Sequence, residues 1–198
     1  MGHFRGVDAT KMAALGFSSG AHLALLLGLL PEDFSIEGES GDMGYSSKVQ
    51  AVVSCAGPVE LTKFYRESVK YPYELEDFMG GPPESMQQKY DEASPLRYVT
   101  SKSPPILILH GTEDPDVPLN QETMLVDEMK KVGANVQLVL IPNMGHTSEV
   151  TNSNVYVFLI RQLDTDRSMA MYGIASVCLL LAVGLGLFIR HRLAAKAG

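Results

Sequence analysis

The residues with chemistry to offer stand in three short stretches. Gly16-Phe17-Ser18-Ser19-Gly20 fits the pattern G-x-S-x-G, His110-Gly111-Thr112-Glu113-Asp114-Pro115-Asp116-Val117-Pro118 brings carboxylates, and Asn143-Met144-Gly145-His146 brings an imidazole. A serine hydroxyl is a poor nucleophile until a base takes its proton, and that base needs an acid to hold its orientation. The three stretches therefore point to acyl transfer on Ser18, with His146 as the base and Asp114 as its partner. Glycines flanking Ser18 suit a tight strand-to-helix turn that lifts the hydroxyl clear of a sheet. The N-terminus of the following helix favours negative charge, which makes the backbone N–H of Ser19 one oxyanion donor. The same pentapeptide also occurs in plain tight turns, so its context must decide.

Competitors for each role are few. There are five histidines. His3 is near the start, His22 lies within the apolar run after Ser18, His110 ends a strand-like run, and His191 follows a long apolar tail. Each of these four suits a packing or solvent role, as lone histidines commonly do. Among the acids, Glu113 and Asp116 flank Asp114 and stay open as alternatives; Asp114 is preferred because the turn should aim it inward. Asp114, Asp116, His146 and Glu149 lack any recognised metal-ligand spacing, so no metal is assigned. The acyl-transfer chemistry calls for no cofactor.

Elements that could position these groups follow from the apolar pattern. Met12 to Phe17 is a short apolar run, Ser19 to Leu30 a longer one of helical length closed by Pro31. Val49 to Cys55, Ile106 to His110 and Val136 to Ile141 are β-branched or aliphatic strands bounded by Gly and Pro. Their near-continuous apolar character implies burial on both faces, hence a parallel sheet covered by helices. Asn120 to Val132 has amphipathic helical spacing with Gly133 as its stop, and Glu149 to Leu163 is expected to be a final helix despite its β-branched residues. Leu61 to Ser103 is rich in Tyr, Glu, Pro and Gly and reads as a helical excursion and partial lid. Ser18, Asp114 and His146 all follow strands, and the loops at strand carboxyl ends are where open α/β sheets bind ligands.

Composition narrows the partners. The 198-residue chain carries a net charge of -7 and has no basic run before its C-terminus, which argues against nucleic acid. Its two cysteines, Cys55 and Cys178, both sit in apolar surroundings and read as packing residues; they leave the redox compartment open.

With these motifs in place, a resemblance emerges. Gly16 to Gly28, Ser47 to Pro58, Ala93 to Pro95 and His110 to Pro118 resemble the α/β-hydrolase esterases grouped with bacterial acetyl and feruloyl esterases, relatives of hormone-sensitive-lipase-like and prolyl-oligopeptidase-like hydrolases. The likeness spans Lys11 to about His146. It implies a catalytic triad of Ser18, Asp114 and His146, and cleavage of short acyl or aryl esters, including esters on carbohydrates, through an acyl-enzyme. A prolyl-oligopeptidase-like serine peptidase would carry nearly the same motifs, and an inactive fragment or non-catalytic membrane-tethered module is the reading from another class. Ala21 stands where many relatives have a second glycine. The family fold has about eight strands, and those before the elbow, with the His-Gly-Gly loop that supplies a second oxyanion donor, would precede residue 1. The expectation is thus the C-terminal portion of an α/β-hydrolase fold, with about four parallel strands and helices on both faces. A missing N-terminal half is the preferred explanation, ahead of a natural short form or a partner chain that completes the sheet.

Met169 to Ile189 is an uncharged apolar stretch, long enough at about 1.5 Å per residue to cross a hydrocarbon core of about 30 Å. Arg190, Arg192 and Lys196 follow it, which places the C-terminus in the cytoplasm and the hydrolase outside. The chain thereby divides into a partial catalytic domain over 1–163, a juxtamembrane linker over 164–168, a transmembrane helix over 169–189 in contact with membrane lipid, and a basic tail over 190–198. No export signal is visible at Met1 to Lys11.

Overall fold

The structure is a computed structural model, and it describes residue 8 and residues 10–31, 46–147, 153–163 and 177–178. Along the chain these form β1 (Ala13–Phe17), α1 (Ser19–Leu29), β2 (Ala51–Cys55), α2 (Leu61–Glu67), α3 (Pro72–Met79), α4 (Pro83–Glu92), a 3-10 turn (Pro95–Tyr98), β3 (Ile106–Gly111), α5 (Leu119–Lys131), β4 (Val136–Ile141), α6 (Ser153–Gln162) and β5 (Val177–Cys178). The strands make one parallel sheet in the order β4-β3-β2-β1-β5. In register, Ala13 stands beside Ala51, Val52 beside Ile106, and Ile106 beside Val136.

Strand side chains alternate between the two faces, and each face has its own core. Ala13, Val53, Cys55, Leu107 and Leu109 meet Val155, Phe158, Leu159 and Leu163 of the α6 segment. Ala14, Val52, Ile106 and Ile108 meet Ala24, Leu25 and Leu29 of α1 and Leu125, Val126 and Met129 of α5. Two-sided burial is why β2 and β3 read as unbroken apolar runs: every residue of both is buried. The α6 contacts recur at helical spacing, so packing overrides the weak helix preference of its β-branched residues.

The excursion from Leu61 onward is helical, as expected, and builds a third small core from Leu61, Phe64, Met79, Tyr90 and Val117. Val117 belongs to the loop after β3, so this core fastens the excursion to the loop carrying Asp114.

About four strands are expected from the sequence. The sheet has a fifth strand, and it comes from within the stretch read as a transmembrane helix: Val177 and Cys178 pair with Ala13 and Ala14. Without that pairing β1 would be an edge strand, with unpaired N–H and C=O groups that a parallel segment can satisfy. The remainder of 169–189, with 164–168 and 190–198, lies outside the described residues. Among the described residues no helix is long and apolar enough to cross a membrane.

Candidate active site

The turn between β1 and α1 holds Ser18 at φ 54 and ψ -122, a region that costs a non-glycine residue about 1–3 kcal/mol. Its N–H continues the ladder by donating to the Cys55 carbonyl at 2.8 Å, while its own carbonyl accepts from Ala21 and His22 at 3.0 and 3.1 Å. The backbone of the turn is thus held from both sides and leaves the side chain free. Gly16 is obligatory here, since a Cβ at this position would collide with the Gly20 carbonyl. That near-contact is the reason for glycine at the first position of G-x-S-x-G.

Base and acid arrive on loops that are sewn together. Thr112 N–H donates to the Ile141 carbonyl at 3.0 Å and Glu113 N–H to the Met144 carbonyl at 2.9 Å. Asn143, in a left-handed conformation with φ 57, donates its N–H to Thr112 Oγ1 at 3.0 Å. A Cβ on Gly111 would collide with the Met144 carbonyl and sit 2.7 Å from that of Gly145. Gly111 therefore lets the loop carrying His146 lie directly on the end of β3.

The three side chains meet in sequence. His146 Nε2 is 2.9 Å from Ser18 Oγ, and His146 Nδ1 is 2.8 Å from Asp114 Oδ2. The arrangement fits the tautomer in which Nδ1–H donates to the carboxylate and Nε2 accepts the serine proton. Asp114 Oδ1 accepts the N–H groups of Asp116 and Val117 at 2.8 and 2.9 Å, so the acid is anchored by its own loop. Its side chain is 1% exposed and that of His146 is 12% exposed. Phe17 packs against the imidazole, with ring centroids 4.6 Å apart.

Of the three candidate acids, Asp114 is the one within hydrogen-bond distance of His146. Glu113 is exposed. Asp116 turns to the excursion, where its Oδ2 accepts from Lys70 Nζ at 2.8 Å and from the Tyr71 hydroxyl at 3.0 Å; the Lys70 ammonium holds its carboxyl below the usual range. Ser19 opens α1, and the first N–H groups of a helix have no carbonyl one turn back to bond, so its N–H is available beside Ser18.

Of the other histidines, His22 and His110 lie within the described residues. His22 donates Nε2–H to the Ala93 carbonyl at 2.7 Å, tying α1 to the end of α4, and burial lowers its pKa. His110 is buried with its Nδ1 3.5 Å from Glu122 Oε1. His3 and His191, like Glu149, lie outside the described residues.

Two supporting residues escaped the sequence reading. Gln121 Oε1 accepts the N–H groups of Val59 and Glu60, both at 2.9 Å, and Glu122 Oε1 accepts that of Gly57 at 3.0 Å. Both side chains are fully buried, and burial raises the Glu122 pKa. Together they pin the loop that leads from β2 into the excursion. The available signal was a Gln-Glu pair on the same inward face of α5 as Leu125 and Met129.

A cavity of about 370 Å³ opens beside Ser18 and Ser19, walled by the start of α1, Pro58, Val117 and residues of α2 and α3. That places it within the usual size range of small-molecule sites.

Known proteins share this arrangement of elements. The chain is 30% identical over 177 residues to Esterase LipQ of Mycobacterium tuberculosis, covering 85% of this chain and 40% of that protein. It is 31% identical over 133 residues to the probable carboxylic ester hydrolase LipM of the same organism, covering 64% of this chain and 30% of LipM. A solved truncated form of a carbohydrate esterase from gut microbiota superposes with a TM-score of 0.70 at 26% identity, covering 80% of this chain and 61% of that one. The chain thus spans less than half the length of LipQ and LipM. The BD-FAE family profile matches residues 4–129, a span that holds the elbow at Ser18, the β2 and β3 strands and the loop of Asp114. The chain belongs to the BD-FAE family.

Proposed function

We propose that this chain is a serine hydrolase of carboxylic esters that works through an acyl-enzyme on Ser18. The observation that carries the reading is the continuous relay from Ser18 Oγ through His146 to Asp114 at 2.9 and 2.8 Å. Two of the relatives are named as ester hydrolases, which agrees with it.

In the first half-reaction His146 Nε2 takes the Ser18 proton as Oγ attacks the ester carbonyl. The tetrahedral oxyanion is met by the Ser19 N–H, with the N-terminal end of α1 adding positive potential. His146, now imidazolium and held by Asp114, gives the proton to the departing alcohol. Water enters in its place and loses a proton to His146. Its oxygen attacks the acyl carbonyl, and collapse of the second tetrahedral species returns the proton to Ser18 and frees the acid.

Labelling with a fluorophosphonate tests this directly. Wild-type protein should be labelled at Ser18 and hydrolyse p-nitrophenyl esters, and Ser18→Ala should lose both. A folded wild-type preparation that stays unlabelled at Ser18 refutes the reading. Faster cleavage of peptide anilides than of esters would move the proposal to a serine peptidase.

The proposal extends to a membrane tether through residues 169–189, with the hydrolase on the extracytoplasmic side. Its support is the length and apolarity of that stretch; the strand pairing of Val177 and Cys178 weighs against it. Release of the full chain from membranes by alkaline carbonate would refute the tether.

A further inference from the structure

The cavity beside Ser18 carries information about which half of the ester it receives, an inference that rests on the hydrolase reading. Two features of the wall matter. First, its polar groups are mostly spent. His22 Nε2–H is committed to the Ala93 carbonyl, and the Tyr71 hydroxyl to Asp116. Of the side chains that α2 and α3 contribute, only Glu74 offers an uncommitted polar group, while Leu61, Phe64, Leu75 and Phe78 supply the rest of that wall. A sugar ring entering here would leave hydroxyls without partners, which is costly when water is excluded. Second, the apolar surface continues outward: Leu23 is 50% exposed and Phe78 69% exposed at the rim.

Proton geometry then assigns the occupant. The departing alcohol must receive its proton from His146 Nε2, so it leaves on the side of Ser18 that faces the imidazole. Among the described residues the cavity is lined by Ser18 and Ser19 but not by His146. The chamber is therefore on the side of the retained acyl group.

We propose that this chamber binds a medium-length aliphatic acyl chain, of hexanoyl to octanoyl size, so that the preferred substrates are longer than the short acyl esters expected from the sequence. Leu75 and, farther out at the rim, Phe78 of α3 supply the apolar contacts that the longer chains gain. Each methylene that enters the wall should raise kcat/KM about fourfold, equivalent to about 0.8 kcal/mol, until the chamber is full.

The experiment compares p-nitrophenyl acetate, butanoate, hexanoate and octanoate on the full chain, beside ethyl and hexyl acetate. A rise of at least tenfold from acetate to hexanoate is expected, with little difference between the two alcohols. Leu75→Trp, which fills the chamber from a half-buried position, should abolish the preference for hexanoate over acetate. Phe78→Ser, at the exposed rim, should weaken octanoate more than butanoate. Acetate turned over as fast as hexanoate, or a preference that follows the alcohol instead, overturns the acyl assignment while leaving the hydrolase reading intact. Failure of every ester together with failure of fluorophosphonate labelling overturns both.

Discussion

Gly111→Ala tests whether the placement of His146 depends on the bare backbone at the end of β3. The added Cβ would overlap the Met144 carbonyl and lie 2.7 Å from the Gly145 oxygen, whereas ordinary contact begins at 3.4 Å. Both neighbours are backbone, so no side chain can rotate away, and the loop must retreat by at least about 0.7 Å at Gly145. His146 is the next residue and follows that motion. Its Nε2 then leaves the 2.9 Å contact with Ser18. A misplacement on the order of 1 Å costs about 10²-fold in rate, while overpacking costs about 1–3 kcal/mol of stability. The expected variant is thus folded, with a lowered melting midpoint, and hydrolyses p-nitrophenyl hexanoate about 10²-fold more slowly through kcat, with KM little changed. Circular dichroism melts and steady-state kinetics on the same preparation separate the two effects. A variant with kcat within threefold of wild type would refute the claim that Gly111 positions the base.

Other perturbations read other parts of the site. Asp114→Asn should lower kcat by about 10⁴, since an amide can no longer hold the imidazole in the accepting tautomer. Asp116→Asn should keep activity within severalfold and lose no more than about 1 kcal/mol in a urea melt, because Lys70 is largely exposed; the reverse ranking would reassign the acid. Glu122→Gln addresses the buried carboxyl. Its folded pKa lies above the ordinary value of 4.5, chiefly through burial, so the folded state holds the proton more tightly than the unfolded state. Wild-type stability should then fall as pH rises from about 4.5 toward the folded pKa, and Glu122→Gln should flatten that decline in denaturant melts across pH. A variant with an unchanged pH slope would show that another group sets it. Finally, burial and the nearby Glu122 push the Cys55 thiol up to about 12. Iodoacetamide followed by peptide mass mapping should find Cys55 unmodified in the native protein and alkylated once urea is added.

Much of this molecule is legible in one dimension because its signals are local. Ser18 announces itself through the glycines on either side, and the two-sided burial of β2 and β3 leaves an apolar run that no half-exposed strand would show. The order strand, helix, strand, excursion, strand, helix, strand, helix follows from those runs and the Gly and Pro residues between them. Ser18, His146 and Asp114 were nameable from their motifs before any contact was visible. The distances were not, and the preference for Asp114 over Asp116 rested on the expected aim of one turn. Both acids occupy one loop, and what separates them is where the chain 46 residues earlier puts Lys70. Nor could the sequence show that Gly111 makes room for a carbonyl from another strand, that Gln121 and Glu122 hold the loop after β2, or that Val177 and Cys178 extend the sheet from a stretch whose apolarity suits a membrane helix equally well. Composition records how apolar a segment is, whereas its partner is decided by which unpaired edge or face the rest of the fold leaves beside it.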